Sequence, residues 1–313
     1  MFDTFKEQVL VAPAKLNLRL KVVGRRADGY HLLSMLNVTT SLADRVAVTL
    51  RSAPGISVVV DPPDVVSGAV SDNSVVRVWD EFWRDFSPSG APCGATVTIT
   101  KRIPVGGGLG GGSSDAAAML RFLAGNFGSE LSQQLDISSQ EFDTRLGRVA
   151  LRVGADVPYA YCGGACWVRG IGEDVHPISG KVSWPGEILI AMPATSVPTV
   201  DFYRFFRDQH PDLSGSCDAP LQRFVSLEEP RVTLEQLIEN DFEQDIVTFR
   251  PQVGAALSVA RRHFPYTTSV TGSGAAIFSL VSTGELDAIP ACQEALEQIG
   301  GTVYRAKLVE PCS

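Results

Sequence analysis

The sequence predicts an α+β protein built from two domains, and three observations support that prediction. The chain has 313 residues and 44% of them are hydrophobic, so at about 100–200 residues per domain each of two domains can bury its own core. The first half carries strand patterns and then helix patterns, whereas the second half alternates helices with strands. Such alternation favours helices packed on an antiparallel sheet. We place the domain boundary at a Ser-Trp-Pro-Gly cluster, which gives domains of residues 1–181 and 182–313.

The amino-terminal domain begins with predicted strands. Apolar and polar residues alternate strictly from Lys15 to Val23, which is typical of a half-buried strand and puts Lys15 and Asn17 side by side on one face. An Asp28-Gly29 turn follows this strand. Further strands, the first three joined as a meander, are predicted at residues 31–40, 45–50, 56–60 and 96–100.

Helix patterns fill the rest of this domain. Cap-type residues at 72–74 precede a helix whose apolar face includes Trp79 and Trp83. A second helix is predicted at residues 113–124, with Ser113 or Ser114 as its cap. A third is predicted at residues 140–153 and ends at Gly154.

The carboxy-terminal domain is predicted to begin with a strand at residues 187–192. Residues 208–230 are rich in Asp, Pro and Ser, which is typical of a loop. The remaining predicted elements are helices at residues 233–239, 251–262 and 290–299 and strands near Ser269, at residues 275–281 and at residues 302–309.

The charge balance excludes several classes of partner. The chain has 27 basic and 35 acidic residues, a net charge of −8, and its dense basic pairs are confined to Arg25-Arg26 and Arg261-Arg262. We therefore expect neither nucleic acid nor a membrane as a partner. The amino terminus lacks the apolar core of a secretory signal, and no stretch approaches the roughly 20 apolar residues of a membrane span. We expect a soluble cytoplasmic protein, a monomer or a weak homodimer.

The six scattered cysteines are predicted to be small buried or reduced residues. Cys162 and Cys166 are close in sequence, yet no second pair or histidine cluster completes a zinc site. The cysteines therefore indicate neither a disulfide framework nor a metal centre.

Residues 104–115 read Pro-Val-Gly-Gly-Gly-Leu-Gly-Gly-Gly-Ser-Ser-Asp and carry the strongest functional signal of the chain. They match the spacing of a dinucleotide-binding loop, but they follow a meander and not the first strand of a βαβ unit. A Walker A loop requires a lysine after its last glycine, and none is present. Consecutive N–H groups that open into a helix amino terminus form an anion site, to which Ser113 and Ser114 add hydroxyl donors. A flexible linker is the remaining alternative, and the capped helix that follows argues against it.

Residues 104–117 resemble the phosphate loop of the GHMP kinase superfamily, and two further motifs agree in order and spacing. These are Ala-Pro-Ala-Lys-Leu-Asn-Leu at residues 12–18 and Thr-Gly-Ser-Gly-Ala-Ala-Ile-Phe at residues 271–278. The resemblance narrows to the 4-diphosphocytidyl-2-C-methyl-D-erythritol kinase family on the sequences at residues 26–31, 154–158 and 240–243.

The resemblance implies a two-domain α+β GHMP kinase fold, with an amino-terminal domain similar to domain 2 of ribosomal protein S5 and a ferredoxin-like carboxy-terminal domain. It also implies an ATP-dependent kinase that phosphorylates the 2-hydroxyl of 4-diphosphocytidyl-2-C-methyl-D-erythritol in the non-mevalonate isoprenoid pathway. Mg²⁺ is expected to arrive with ATP, bound through the phosphates, and protein ligands to it stay open. The alternatives are a GHMP kinase for another small alcohol and a catalytically inactive binding protein of the same fold.

Individual roles follow from the resemblance. Asp156 corresponds to the catalytic base, and Lys15 to the catalytic lysine that keeps this carboxylate ionised and offsets charge on the γ-phosphate. Lys101 and Asn73 correspond to positions near the adenine, although solvent exposure or helix capping would also explain them. The loop residues expected to bind ATP are Pro104, Val105, Gly106, Gly107, Gly108, Leu109, Gly110, Gly111, Gly112, Ser113 and Ser114.

The substrate side is assigned in the same way. Asn17 is expected to hydrogen-bond the reacting hydroxyl or the aspartate. Tyr30 corresponds to a residue that stacks on the cytosine, and His31 to one that hydrogen-bonds its edge. The segment that carries Thr199 is expected to place Tyr203 across the ring, although the spacing also allows Phe202. Gly272 is expected to pack beside the phosphate and substrate site.

Overall fold

The computed structural model describes residues 6–309 except 64, 66–68, 88, 179–181, 185, 212, 214, 216 and 227–233. The strands are β1 (Gln8–Arg25), β2 (His31–Arg51), β3 (Gly55–Asp61), β4 (Gly94–Thr100), β5 (Cys166–Gly170), β6 (Asp174–Pro177), β7 (Glu187–Met192), β8 (Glu239–Asn240), β9 (Thr268–Val270), β10 (Ile277–Val281), β11 (Thr302–Ala306) and β12 (Leu308–Val309). The helices are α1 (Ser74–Phe86), α2 (Gly111–Leu135), α3 (Ser139–Val153), α4 (Val157–Cys162), α5 (Thr199–Gln209), α6 (Ala219–Ser226), α7 (Leu234–Leu237), α8 (Glu243–Phe249), α9 (Pro251–His263) and α10 (Ile289–Gln298).

Most predicted elements are present, and several extend beyond their predicted limits. The strands predicted at residues 31–40 and 45–50 form one strand, β2, because Ser-Leu-Ala-Asp between them contains no glycine or proline. Helix α2 continues past residue 124 to Leu135, since the buried Phe127 and Leu131 prolong its apolar face.

Three predictions about elements are corrected. The meander is wrong for β3, which pairs in parallel with β4, while β4 pairs antiparallel with β2. Side chains alternate in both kinds of ladder, so the pattern could not identify the partner. The predicted loop at residues 208–230 contains helix α6. Helix 233–239 is reduced to α7, followed at once by β8, and its predicted first residue lies outside the described residues.

Contacts divide the chain into two compact units. The first unit comprises Met1–Ala14, Ala43–Ile103 and Gly110–Tyr161. In it, α1 packs against α2 and α3, and an aromatic cluster fills the core. The rings of that cluster meet at centroid distances of 4.6–5.1 Å and belong to Phe82, Trp83, Phe86, Phe127 and Phe142. This apolar packing holds the body of α2, whose first turn carries the end of the glycine run.

The second unit comprises Lys15–Leu42, Pro104–Leu109 and Cys162–Ser313. Its antiparallel sheet has the order β11-β7-β10-β9, with α9 against β9 and β10 and α10 against β11. The antiparallel sheet with helices that was predicted for the second half of the chain is therefore present. The part of β1 within this unit pairs in parallel with β8. The part of β2 within it pairs antiparallel with β5 and β12.

The units are discontinuous in sequence, whereas the predicted domains were continuous. The division at residues 181 and 182 cuts the chain differently, and it stays a prediction. The described cysteines are free thiols: Cys93, Cys166 and Cys292 are buried, Cys162 is half-buried and Cys217 is exposed. In the described part of the chain, no helix has the length and apolar character required to cross a membrane.

Candidate active site

The glycine run forms an irregular loop that ends in a helix. Gly106, Gly108 and Gly110 have φ values of 77°, 75° and 71°, which residues other than glycine rarely adopt. Helix α2 begins at Gly111 with Gly110 as its cap residue, so the predicted cap at Ser113 or Ser114 is wrong. The loop therefore opens into a helix amino terminus with unpaired N–H groups, the geometry expected of an anion site.

Within the second unit, the start of this loop is fixed by the two other motifs. Lys15 donates its backbone N–H to the Leu109 carbonyl at 3.0 Å. Ala275 and Ala276 donate theirs to the carbonyls of Gly106 and Gly107, at 3.3 and 3.1 Å. The three motifs that lie far apart in sequence are thus hydrogen-bonded to one another.

Gly108 also requires the absence of a side chain. A Cβ at this position would lie 2.8 Å from the Thr271 carbonyl oxygen and 3.0 Å from that of Gly274. These separations are shorter than van der Waals contact, so the loop and the segment 271–276 can approach this closely only with glycine at position 108.

Within the first unit, polar groups surround the first turn of α2. Ser74 donates its hydroxyl to the Gly112 carbonyl at 2.6 Å, which holds the start of α1 beside this turn. Asn73 caps α1, since its side-chain oxygen accepts a hydrogen bond from the Val75 N–H at 2.9 Å. Ser114 is buried and donates to the Pro13 carbonyl at 2.7 Å, so its hydroxyl proton is not directed at a ligand. Ser113 is the remaining hydroxyl donor of the two predicted ones.

Lys101, which the sequence predicts near the adenine, forms two ion pairs within the first unit. Its ammonium group is buried and contacts the carboxylates of Asp44 and Asp115, at 2.5 and 2.8 Å. The predicted position near the adenine stays a prediction, and the charge of Lys101 is balanced by these carboxylates.

Lys15 and Asn17 lie side by side in β1, as the alternation predicted, but the prediction of a half-buried strand is wrong here because both faces of β1 are buried from Ala14 to Leu20. The Lys15 ammonium donates to Asn17 Oδ1 at 2.6 Å, and both residues are at least nine-tenths buried. Asn17 is held on its other sides as well: its Nδ2 donates to Asn37 Oδ1 at 2.6 Å and its backbone N–H to Thr271 Oγ1 at 2.8 Å. The pair therefore has a fixed orientation.

Gly272 lies against this pair. A Cβ on Gly272 would lie 3.2 Å from Asn17 Oδ1, 3.4 Å from Lys15 Nζ and 3.3 Å from the Gly108 carbonyl oxygen. The backbone of Gly272, the two polar side chains and the glycine loop thus converge at one point of the second unit.

Asn240 has a role here that the sequence did not reveal. Its Nδ2 donates to the carbonyls of Val270 and Gly272, each at 2.9 Å, and its Oδ1 accepts from the Phe242 N–H. Asn240 belongs to the Asn-Asp-Phe-Glu sequence that carried part of the family resemblance, and that membership was the available signal. Its side chain fixes the segment that contacts Lys15 and Asn17.

Asp156 lies in the turn between α3 and α4, in the first unit. Its carbonyl accepts from the Ala160 N–H, so Asp156 stands at the start of α4 and is half-buried. A Cβ on the neighbouring Gly154 would lie 4.0 Å from Ser113 Oγ. The turn that carries Asp156 therefore packs beside the first turn of α2.

An aromatic cluster surrounds His31 in the second unit. The His31 ring lies 5.6 Å from the ring of Tyr203 and 5.2 Å from that of Phe206. His31 is 6% exposed, and its Nε2 has no hydrogen-bond partner among the described residues. Burial, followed by the nearby charges of Arg25, Arg207 and His210, lowers its pKa, so the ring is neutral at pH 7. A buried polar atom without a partner is costly, and a ligand atom would satisfy it.

The other residues predicted on the substrate side are placed as follows. Tyr30 is 61% exposed, with the Arg26 guanidinium 5.9 Å from its ring centroid. Thr199 and Tyr203 are four residues apart in α5 and share one face of that helix. Phe202 is fully buried against Phe242, so it is a core residue and Tyr203 is the aromatic residue that contacts His31.

The described residues contain no group of three or more acidic, histidine or cysteine side chains arranged to hold a metal ion. A cation held mainly by ligand oxygens and water is compatible with such a site.

The fold and the glycine loop define a class, the small-molecule kinases of the GHMP type. A family model described as GHMP kinases N terminal domain matches residues 73–164. The 4-diphosphocytidyl-2-C-methyl-D-erythritol kinase of Bordetella bronchiseptica is 35% identical over 293 residues, which cover 93% of this chain and 86% of that protein. The enzyme of the same name from Mesorhizobium japonicum is 35% identical over 277 residues, or 88% of this chain and 87% of that one.

A solved structure agrees with these relatives. The crystal structure of a 4-(cytidine 5′-diphospho)-2C-methyl-D-erythritol kinase superimposes with a TM-score of 0.69 at 28% identity, covering 97% of this chain and 99% of that chain. The chain belongs to the 4-diphosphocytidyl-2-C-methyl-D-erythritol kinase family and has the two-domain α+β GHMP kinase fold.

Proposed function

We propose that this chain transfers the γ-phosphoryl group of ATP to the 2-hydroxyl of 4-diphosphocytidyl-2-C-methyl-D-erythritol. The observation that carries the proposal is the convergence of three motifs in the second unit, where the glycine loop, the Lys15–Asn17 pair and Gly272 meet. Phosphoryl transfer requires positioning and neutralisation of charge more than covalent chemistry, and a rigid loop beside a fixed ammonium group supplies both.

The glycine loop is proposed to bind the ATP phosphates through backbone N–H groups, from Gly106 to Gly112, and through the amino terminus of α2. Lys15 is proposed to neutralise charge that develops on the transferred group. Its ammonium is already oriented by Asn17, so no reorganisation is required when the phosphate arrives.

Asp156 is proposed as the base that accepts the proton of the attacking hydroxyl. It lies at the start of α4, in the turn that packs beside the first turn of α2. Asn17 is proposed to hydrogen-bond the reacting hydroxyl.

The cytosine is proposed to bind at the His31 cluster. The unpaired Nε2 of His31 offers one hydrogen bond to the edge of the base, and Tyr203 and Tyr30 offer aromatic faces for stacking. Thr199 lies on the same helix face as Tyr203, and its hydroxyl can donate a hydrogen bond to the substrate. Because cytosine is uncharged, a neutral imidazole is a better partner for it than a charged imidazolium.

Mg²⁺ is proposed to enter with ATP. The donor set of the described residues fits an ion held by phosphate oxygens and several waters, since no cluster of three carboxylates is present. When bound, the ion would add positive charge at the phosphates, and the chain itself supplies the N–H groups and Lys15.

A turnover assay tests the substrate. Purified protein with ATP and Mg²⁺ is assayed for ADP release with the CDP-linked substrate, mevalonate or homoserine in separate reactions. We expect kcat/KM to be far higher for the CDP-linked substrate. Equal or inverted preference would support a kinase for another alcohol, and ATP binding without any turnover would support an inactive binding protein.

Asp156→Asn tests the base. We expect kcat to fall about a hundredfold or more, because the amide cannot accept the proton. The control is Asp287→Asn, which removes an exposed carboxylate from a short 3-10 helix. An unchanged kcat in a folded Asp156→Asn protein would exclude Asp156 as the base.

A further inference from the structure

A buried charge cluster lies at the base of the glycine loop, and the proposed chemistry does not use it. Lys101 Nζ lies 2.5 Å from Asp44 Oδ2 and 2.8 Å from Asp115 Oδ2, and the three side chains are 5%, 0% and 5% exposed. Lys101 precedes the loop and Asp115 lies in the first turn of α2 beyond it. A single ammonium group therefore connects the two ends of the loop.

Asp44 fixes the incoming end of the loop by its backbone as well. Its Oδ1 accepts hydrogen bonds from the N–H groups of Arg102 and Ile103, at 2.5 and 2.8 Å. These two residues lead directly into Pro104. The last residues before the loop are thus hydrogen-bonded to Asp44, which lies in β2.

The outgoing end is close to the same ammonium group. A Cβ on Gly111, the first residue of α2, would lie 3.2 Å from Lys101 Nζ and 3.3 Å from Ile103 Cγ2. A larger residue at 111 would collide with the cluster, which shows how tightly the first turn of α2 packs on it.

The stability of this buried charge cluster depends on its geometry. Two carboxylates share one ammonium group away from water, and such a group is stable only while its hydrogen bonds are made. Burial, opposed by Lys101 and assisted by Asp44, raises the pKa of Asp115 to about 7. Removing one partner therefore disturbs the position of the others.

We propose that Lys101, Asp44 and Asp115 form a clamp that closes the base of the glycine loop, and that Lys101 acts on ATP as a positioning residue through the loop backbone. The inference rests on the proposed ATP-dependent activity. It assigns Lys101 a role different from a direct contact with the nucleotide, because the ammonium group is already held by two carboxylates.

Asp115→Ala is the decisive variant. It disconnects the outgoing end of the loop but leaves Lys101 paired with Asp44, so no buried charge is stranded. We expect the affinity for ADP, measured by calorimetry in the presence of Mg²⁺, to fall about tenfold, since small displacements of positioning groups have effects of this order or larger. The affinity for adenosine, measured by competition, should stay unchanged because adenosine has no phosphate. Asp287→Ala is the control.

A contact between Lys101 and the base predicts a different pattern. Freeing Lys101 by Asp115→Ala would then leave or improve ADP affinity, and Lys101→Met would weaken adenosine and ADP by the same factor. Either result overturns the clamp. In the double variant Lys101→Met/Asp115→Ala, the clamp predicts a loss of ADP affinity smaller than the product of the single losses, and a fully multiplicative loss contradicts it.

Thermal unfolding of each variant separates loss of fold from loss of positioning. If Lys101→Met does not fold, the Asp115→Ala comparison of ADP with adenosine decides the matter alone. The outcome is distinct from failure of the proposed function, since that failure is an absence of turnover by the unaltered chain, whereas the clamp is judged on nucleotide affinity.

Discussion

At the scale of single residues, Gly272 shows how backbone conformation and site geometry are joined. Its φ of 59° lies in the left-handed region, and its missing side chain leaves room for Lys15, Asn17 and the Gly108 carbonyl. Asn240 holds its carbonyl from the other side. A change here acts on three groups of the proposed site at once.

Gly272→Ala is expected to lower kcat/KM about tenfold or more, because the new Cβ is crowded and the backbone must leave its positive φ. Steady-state kinetics with both substrates measures this. Gly284→Ala is the matched control, since its Cβ meets nothing within 4 Å and its φ is not positive. Similar kinetic losses in both variants would mean that Gly272 has no special role.

His31→Phe tests the pyrimidine site. The ring keeps its packing against Tyr203 and Phe206 but loses Nε2, so KM for the CDP-linked substrate should rise about tenfold while KM for ATP is unchanged. Steady-state titration of each substrate provides the comparison. A rise in KM for ATP alone would contradict the assignment.

The same variant has a pH signature. The folded pKa of His31 is lowered, so below its ordinary value near 6.5 the unfolded chain binds more protons than the folded one. As the pH drops from about 7.5 to about 5.5, the unaltered chain should therefore lose stability relative to His31→Phe, while the raised pKa of Asp115 acts in the opposite direction and equally in both proteins. Urea unfolding at the two pH values measures the difference, and an identical change in both proteins would argue against a buried neutral ring.

The residues that the sequence could predict are those with a local pattern. Strict alternation placed Lys15 and Asn17 on one face, and the glycine run marked the loop. Asn240, Asp44 and Asp115 act on partners that the chain brings near by folding, and a single acidic or amide residue carries no local signal of that kind. The burial of Lys101 between two carboxylates was hidden for the same reason.

At the scale of elements, the amino terminus of α1 has an observed structural role, helix capping, and a predicted role near the adenine. Asn73 caps the helix through its side-chain oxygen, and the adjacent Ser74 bonds Gly112. Helix capping and a position near the adenine were both open alternatives for Asn73 on the sequence alone. Capping by the carbonyl oxygen leaves the amide nitrogen of Asn73 as the group that could meet a nucleotide.

Two substitutions separate these roles. Asn73→Ala is expected to lose about 1 kcal/mol of stability, whereas Asn73→Asp keeps the cap and the stability. If Asn73 also lies near the adenine, as the sequence predicts, the Asp variant should still raise KM for ATP, because it replaces a donor with a negative charge. Ser138→Ala removes the equivalent cap of α3 and serves as control. A normal KM in Asn73→Asp would restrict Asn73 to capping.

Elements with a strong hydrophobic periodicity and clear capping or turn residues at their ends were predicted correctly, as α1, α3 and β7 show. Pairing partners did not, since β3 could join β2 or β4 with the same alternation of side chains. Helices α5, α6 and α8 are short, and their apolar faces are completed by residues from other segments, for example Phe202 against Phe242. Tertiary contacts decide such elements, so local patterns are insufficient.

At the scale of the whole molecule, a net charge of −8 accompanies a proposed pair of polyanionic substrates. The field of the chain repels them at long range, so binding must depend on short-range donors: the loop N–H groups, the start of α2 and Lys15. Local donors are screened less by salt than a long-range field is, because salt screens charges beyond about 10 Å at 0.1 M.

This contrast predicts the effect of ionic strength. Raising KCl from about 20 mM to about 200 mM at fixed Mg²⁺ should leave kcat/KM for ATP unchanged or raise it, since the salt screens repulsion first. The double variant Asp287→Lys/Glu294→Lys changes the net charge from −8 to −8 + 4 = −4 at exposed positions. It should raise kcat/KM at low salt and lose that advantage at high salt. A steep fall of kcat/KM with salt in the unaltered chain would instead indicate a positively charged approach to the site, and would contradict binding through local backbone donors.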